Sequence, residues 1–110
     1  MMETATAALA LSALGHESRL EVFRLLVRAG PAGLAAGEIA RRTGIRSNTL
    51  SSHLQLLKAA GLIAGRRNGR SIVYSAEAAQ FGALLTYLVE DCCGGQSETC
   101  TLPFKIVNVA

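Results

Sequence analysis

A glycine-stopped short helix followed by a second, amphipathic helix is what most constrains this chain. From Ser47 to Ala60 the apolar residues Leu50, Leu54 and Leu57 recur at i, i+4 and i+7, which lays one hydrophobic stripe along a helix. The opposite side carries Ser47, Asn48, Ser51, Ser52 and Gln55, short hydrogen-bonding side chains that are poor for burial. Upstream, Gly37-Glu-Ile-Ala-Arg-Arg-Thr-Gly44 reads as a shorter helix ending at a glycine. The pair predicts a helix-turn-helix whose second helix is presented outward, with Ser47 placed to cap its start. Side chains of this kind suit base edges and phosphates in a major groove.

Two short helices about a glycine turn also occur in helical domains that never meet nucleic acid, and charge placement separates the readings. Residues 39–76 contain Arg41, Arg42, Arg46, Lys58, Arg66, Arg67 and Arg70, seven of the eleven basic residues, and none of the eight acidic ones. An ordinary solvated surface mixes both signs. A one-signed window around a helix-turn-helix is the footprint of phosphate binding. The candidate phosphate contacts are Arg46, Lys58, Arg66, Arg67 and Arg70. His53, three residues after Leu50, either packs or meets a phosphate.

The remainder fits one small domain of 110 residues, half of them apolar. Aromatic residues make up 5% and tryptophan is absent, so the core is expected to be aliphatic. No apolar run reaches the roughly 18 residues of a membrane span. Glu3 and the lack of any Lys or Arg before the first apolar run argue against a signal peptide, which places the protein in the cytoplasm with its thiols reduced.

Thr4 to Leu14 predicts a helix whose Ala5, Ala8, Leu9, Leu11 and Leu14 cover more than one side, to be buried by a partner subunit or by the back of its own domain. Ser18-Arg-Leu-Glu21 has the form of a capping box opening a second helix, with Leu20, Phe23, Leu26 and Val27 at helical spacing to about Arg28. Ala29-Gly-Pro-Ala-Gly33 stops that helix, and His16 ahead of it is assigned a capping or surface position. Ala64 to Ser75 reads as a hairpin: Asn68-Gly69 suits a type I′ turn and Ile72-Val73-Tyr74 is a strand former. With three arginines at its tip, it takes the position of a wing. A last helix over Ala76 to Glu90 has Phe81, Leu84, Leu85, Leu88 and Val89 as its apolar face. The expected fold is mainly α with a small β-hairpin, a winged helix-turn-helix of order α-α-α-α-β-β-α, with residues 1–91 as DNA-binding and dimerisation domain and 92–110 as a cysteine-containing tail.

All three cysteines fall in Cys92-Cys-Gly-Gly-Gln-Ser-Glu-Thr-Cys100. Soft thiolates select soft ions. Structural zinc normally takes four ligands and no fourth is evident, whereas a trivalent metalloid such as arsenite or antimonite is satisfied by three thiolates. Cys92 and Cys93 are poor disulfide partners for each other, but either could pair with Cys100, so a thiol redox switch stays open beside zinc and beside thiols without a sensing role. No organic cofactor is expected. Nor is catalysis, since there is no Cys-x-x-Cys, no nucleophile beside a base and no glycine-rich phosphate loop.

Over about residues 9 to 93 the chain resembles the ArsR (ArsR/SmtB) family of winged-helix repressors. The resemblance is carried by Leu14-Gly-His-Glu-Ser-Arg-Leu-Glu-Val-Phe-Arg-Leu-Leu26, Gly37-Glu-Ile-Ala, Ser51-Ser-His-Leu-Gln-Leu-Leu-Lys-Ala-Ala-Gly-Leu-Ile63 and the Arg-Asn-Gly-Arg wing. It implies a homodimer, paired through first and last helices, that holds a near-palindromic double-stranded operator until an inducer binds. The best-known arsenic repressors of the family carry cysteines in the helix before the recognition helix, and Ala36 to Gly44 here has none. Cys92, Cys93 and Cys100 match instead the arsenic sensors whose site follows the last helix. The His, Asp and Glu set of the family's zinc sensors is not evident, with only Glu77, Glu90 and Asp91 as candidates. The rival from another class is a small thiol module in which the helix-turn-helix is scaffold alone.

Overall fold

The computed structural model describes residues 2–90; Cys92, Cys93 and Cys100, with the whole expected tail, lie outside those residues. The elements are α1 (Thr4–Leu14), α2 (Glu17–Ala29), β1 (Leu34–Ala35), α3 (Ala36–Thr43), α4 (Ser47–Ala59), β2 (Ile63–Asn68), β3 (Ser71–Ala76) and α5 (Ala78–Val89). The winged helix-turn-helix order is as expected, with β1 added. That strand has two residues and pairs antiparallel with β3, Leu34 opposite Tyr74 and Ala35 opposite Val73, so β3 is the central strand of three.

The core gathers where α1, α2, α3 and α4 pack on one another and on β2 and β3, with Leu84 of α5 completing it. Val22, Leu26, Ile39, Leu50, Leu57, Leu62 and Leu84 are fully buried, each leucine contributing about 1.5–3 kcal/mol by leaving water. Leu50, Leu54 and Leu57 form the stripe that seats α4. Gly61, with φ 76, turns the chain so that Leu62 and Ile63 return to the core.

Helix α2 differs from its sequence pattern at its buried face and at its start. The buried stripe runs through Val22, Phe23 and Leu26, while Leu20 and Val27 are 43% and 48% exposed. Helical spacing defined a stripe but not its exact heading. The capping box does not form either, because the helix begins at Glu17. Nδ1 of His16 accepts from the Ser18 backbone N–H at 3.1 Å and takes the capping role.

Along α1 one row of alanines faces in, while Ala5 and Ala8 are exposed and Leu14 is half-buried. Ala7, Ala10 and Ala13 are buried against the domain, while Leu9 and Leu11 are 53% and 44% exposed. Thr4 Oγ1 and the Tyr87 hydroxyl, 2.5 Å apart, tie α1 to α5. Among the described residues no helix is long and apolar enough to cross a membrane.

The hairpin turn sits one residue later than expected. Asn68 pairs with Ser71, so Gly69-Arg70 form the two-residue loop. Gly69, with φ 66, takes the first central position, where primed hairpin turns require positive φ.

Candidate nucleic-acid interface

The α3–α4 turn is fixed by short local bonds. Gly44 adopts the left-handed conformation and its N–H donates to Ala40 O at 2.9 Å. Thr43 Oγ1 donates to Ile39 O at 2.8 Å and accepts from Ile45 N at 3.3 Å. Helix α4 then starts one residue after Arg46, which is its N-cap and supplies no side-chain bond. Ser47 is therefore the first helical residue and does not cap; its side chain is exposed.

Ser47, Asn48, Ser51, Ser52 and Gln55 lie together on the outer side of α4, all exposed. Asn48 Oδ1 accepts from Thr49 N at 2.9 Å, which leaves its amide hydrogens as donors to a partner. This outer side is wider than the sequence reading made it. Thr49 and Leu56 are also exposed, and with Ser52 they run at i, i+3 and i+7 beside the polar row. Leu56, 49% exposed, is an apolar group of the kind that meets a thymine methyl. The signal was available: Leu56 falls outside the Leu50, Leu54, Leu57 stripe.

The cations divide into two groups. Arg46 and Lys58 are exposed near the two ends of α4, and Arg67 and Arg70 are exposed on the wing. Arg66, also exposed, is held at the wing's base, where Nη2 donates to Ala32 O at 2.8 Å and Nη1 to Pro31 O at 3.5 Å. Arg41 and Arg42 are engaged with Glu38, at i+3 and i+4 on α3, the Arg42 pair at 2.6 Å. Glu38 stands just outside the one-signed window yet acts on two of its seven cations, since a helix brings i, i+3 and i+4 together.

His53 packs. It is 8% exposed, its ring centroid 4.8 Å from that of His16, and Nδ1 lies 3.4 Å from Nη1 of Arg19. Burial first, then the neighbouring His16 and Arg19, push its ring below the ordinary histidine value of 6.5. Of the two roles left open for His53, a phosphate contact is excluded by this burial. One residue before Leu54, it sits on the inward side of α4 facing the α1–α2 corner.

The arrangement offers side-chain donors and acceptors on a convex helix, flanked by cations at both ends and by an arginine-bearing wing. That set can contact base edges and adjacent phosphates together.

The profile described as "Helix-turn-helix domain" matches residues 14–66. The chain is 34% identical over 82 residues to the HTH-type transcriptional regulator YgaV of Escherichia coli K12, covering 74% of this chain and 81% of that protein. Among solved structures it is similar to an ArsR-like transcriptional regulator from Rhodococcus sp. RHA1, with 28% identity, a TM-score of 0.70 and coverage of 86% and 85%. It is also similar to the homodimeric winged helix-turn-helix DNA-binding domain of Mb0332 from Mycobacterium bovis, a possible ArsR-family regulator, with 30% identity, a TM-score of 0.63 and coverage of 79% and 81%.

Proposed function

The chain belongs to the ArsR family of winged helix-turn-helix transcriptional regulators, and on that premise we propose that it is a cytoplasmic, metalloid-responsive repressor. As a homodimer it holds operator DNA through α4 and the wing. It lets go when arsenite, or antimonite, is bound by the thiolates of Cys92, Cys93 and Cys100.

The observation that carries the DNA half is the outer side of α4: five exposed polar side chains opposite a buried leucine stripe, with Arg67 and Arg70 on the wing beside them. Ser47, Asn48, Ser51, Ser52 and Gln55 read or approach bases, while Arg46, Lys58, Arg66, Arg67 and Arg70 hold phosphates. Leu9 and Leu11 on α1 and Leu88 on α5 are large apolar groups left exposed, which suits burial against a second copy.

The inducer half rests on the donor set. Three thiols complete the coordination of a trivalent metalloid, and among the described residues no three of His, Cys, Asp and Glu come together as an alternative cluster. The cysteines begin three residues after α5 ends at Val89, and Tyr87 bonds to Thr4 at the start of α1. A change of shape at Cys92 and Cys93 is thereby delivered to the pair of helices whose leucines await a partner.

The test is release from operator DNA. Arsenite should dissociate the reduced wild-type complex, and Cys100→Ser should bind DNA normally but resist release. Unchanged release by Cys100→Ser would remove Cys100 from the site and leave a two-thiol inducer such as an organoarsenical.

A further inference from the structure

One side chain fastens the middle of the recognition helix to the amino-terminal half of the molecule. Arg19, half-buried near the start of α2, donates from Nε to Ala13 O in the last turn of α1 at 2.7 Å, and its Nη1 reaches Nδ1 of His53 at 3.4 Å. The Ala13 carbonyl is one of those a helix end leaves without an intrahelical partner. A guanidinium only donates, so Nδ1 of His53 is the accepting nitrogen and the ring is neutral with its proton on Nε2. A proton on Nδ1 would abolish the acceptor and set a second cation against the guanidinium.

The groups that face His53 are His16 from the α1–α2 turn and Arg19 from α2. Helix α1 carries no ionisable residue from Thr4 to Leu14. On α3, Glu38, Arg41 and Arg42 engage one another; on β2, Arg66 is turned to Pro31 and Ala32 and Arg67 is exposed. Glu17 and Glu21 of α2 line a surface groove with Arg24 and Arg28, and on α4 itself Arg46 and Lys58 are exposed. Among these groups no carboxylate contributes to stabilising a charged His53.

We propose that Arg19 and His53 are positioning residues for operator binding, a proton-sensitive clamp by which the α1–α2 corner holds α4 in its docking pose, so that acidification weakens the complex. This rests on α4 being the DNA-reading helix. Its sign is distinctive. A histidine lying against phosphate would gain charge on acidification and tighten binding. The clamp does the reverse.

Operator affinity measured at pH 7.5, 6.5 and 5.5, at constant ionic strength, decides the matter. For the wild type the dissociation constant should rise from pH 7.5 to 5.5, toward the limit of about three- to tenfold that a difference of about half to one unit between free and bound His53 sets. His16→Asn, which keeps a good cap, should retain that ratio. His53→Asn, whose side-chain oxygen accepts from Arg19 but does not titrate, should bring the ratio near one. The chain has two histidines, so proton NMR of His16→Asn assigns the His53 ring, and its pKa in the wild type should fall on operator binding. That titration stands even if His53→Asn does not fold. Constant or tighter wild-type binding at low pH, an undiminished ratio in His53→Asn, or an unmoved His53 pKa would overturn the clamp. No binding at pH 7.5 would sink the DNA reading and the clamp with it, whereas binding indifferent to pH sinks the clamp alone.

Discussion

Nη2 of Arg66 donates to the carbonyl oxygen of Ala32 across 2.8 Å, tying the base of the wing to the loop that leads into β1. The three wing arginines are therefore not equivalent. Arg67→Ala and Arg70→Ala should each weaken operator binding across sequences and flatten the dependence of log affinity on log salt by about two units, since the homodimer loses one phosphate contact from each copy. Arg66→Ala should also lower thermal stability, by about 1 kcal/mol for a lost hydrogen bond from a charged donor. Anisotropy titrations at several salt concentrations and a melting curve check all three.

Glu38 holds Arg41 and Arg42 on the surface of α3, the first helix of the DNA-reading pair. Glu38→Gln removes one negative charge and releases two guanidinium groups. Operator affinity should rise and its salt dependence steepen, while stability changes by less than about 1 kcal/mol, because exposed pairs of this kind are weak. Equal affinity at low salt would place α3 away from the phosphates.

Gly33 has φ 72, and a Cβ there would run into the carbonyl oxygen of Tyr74. Gly33→Ala combines a left-handed backbone with a backbone collision on the central strand. It should destabilise the fold by more than about 2 kcal/mol and lower the melting temperature by at least about 8 °C. Gly30→Ala shares the positive φ but meets no neighbouring atom, and should cost less.

Burial, with His16 and Arg19, lowers the His53 pKa below 6.5 in the folded state. As pH falls through 6.5 the unfolded chain takes up this proton first, so folding stability decreases and levels off below the folded value. Above pH 6.5 the group has no effect. Urea midpoints at pH 7.5 and 5.5 should differ more for the wild type than for His53→Asn.

The parts legible in the sequence are those set by local rules. Leu50, Leu54 and Leu57 repeat at helical spacing and seat α4, Gly44 stops α3, and Ile72 to Tyr74 make the central strand. Strand β1 was missed because two residues carry no period and their pairing with β3 is long-range. The hairpin turn slipped by one because Gly69 serves either register until Asn68 is seen to pair with Ser71. Leu20 and Val27 share helical spacing with Phe23 and Leu26 yet lie exposed, because the stripe's heading depends on what α2 packs against. At the interface, the polar face and the five candidate cations were legible, while the pairing of Arg41 and Arg42 with Glu38 and the burial of His53 against Arg19 depend on geometry. Cys92, Cys93 and Cys100 lie outside the described residues, and their role rests on their chemistry.

The most direct measurement is binding of the reduced full chain to the DNA just upstream of its own gene, by fluorescence anisotropy, titrated with arsenite and separately with zinc. The account predicts tight binding that arsenite releases and zinc does not. Binding indifferent to arsenite would contradict it, leaving a winged-helix regulator with a different inducer.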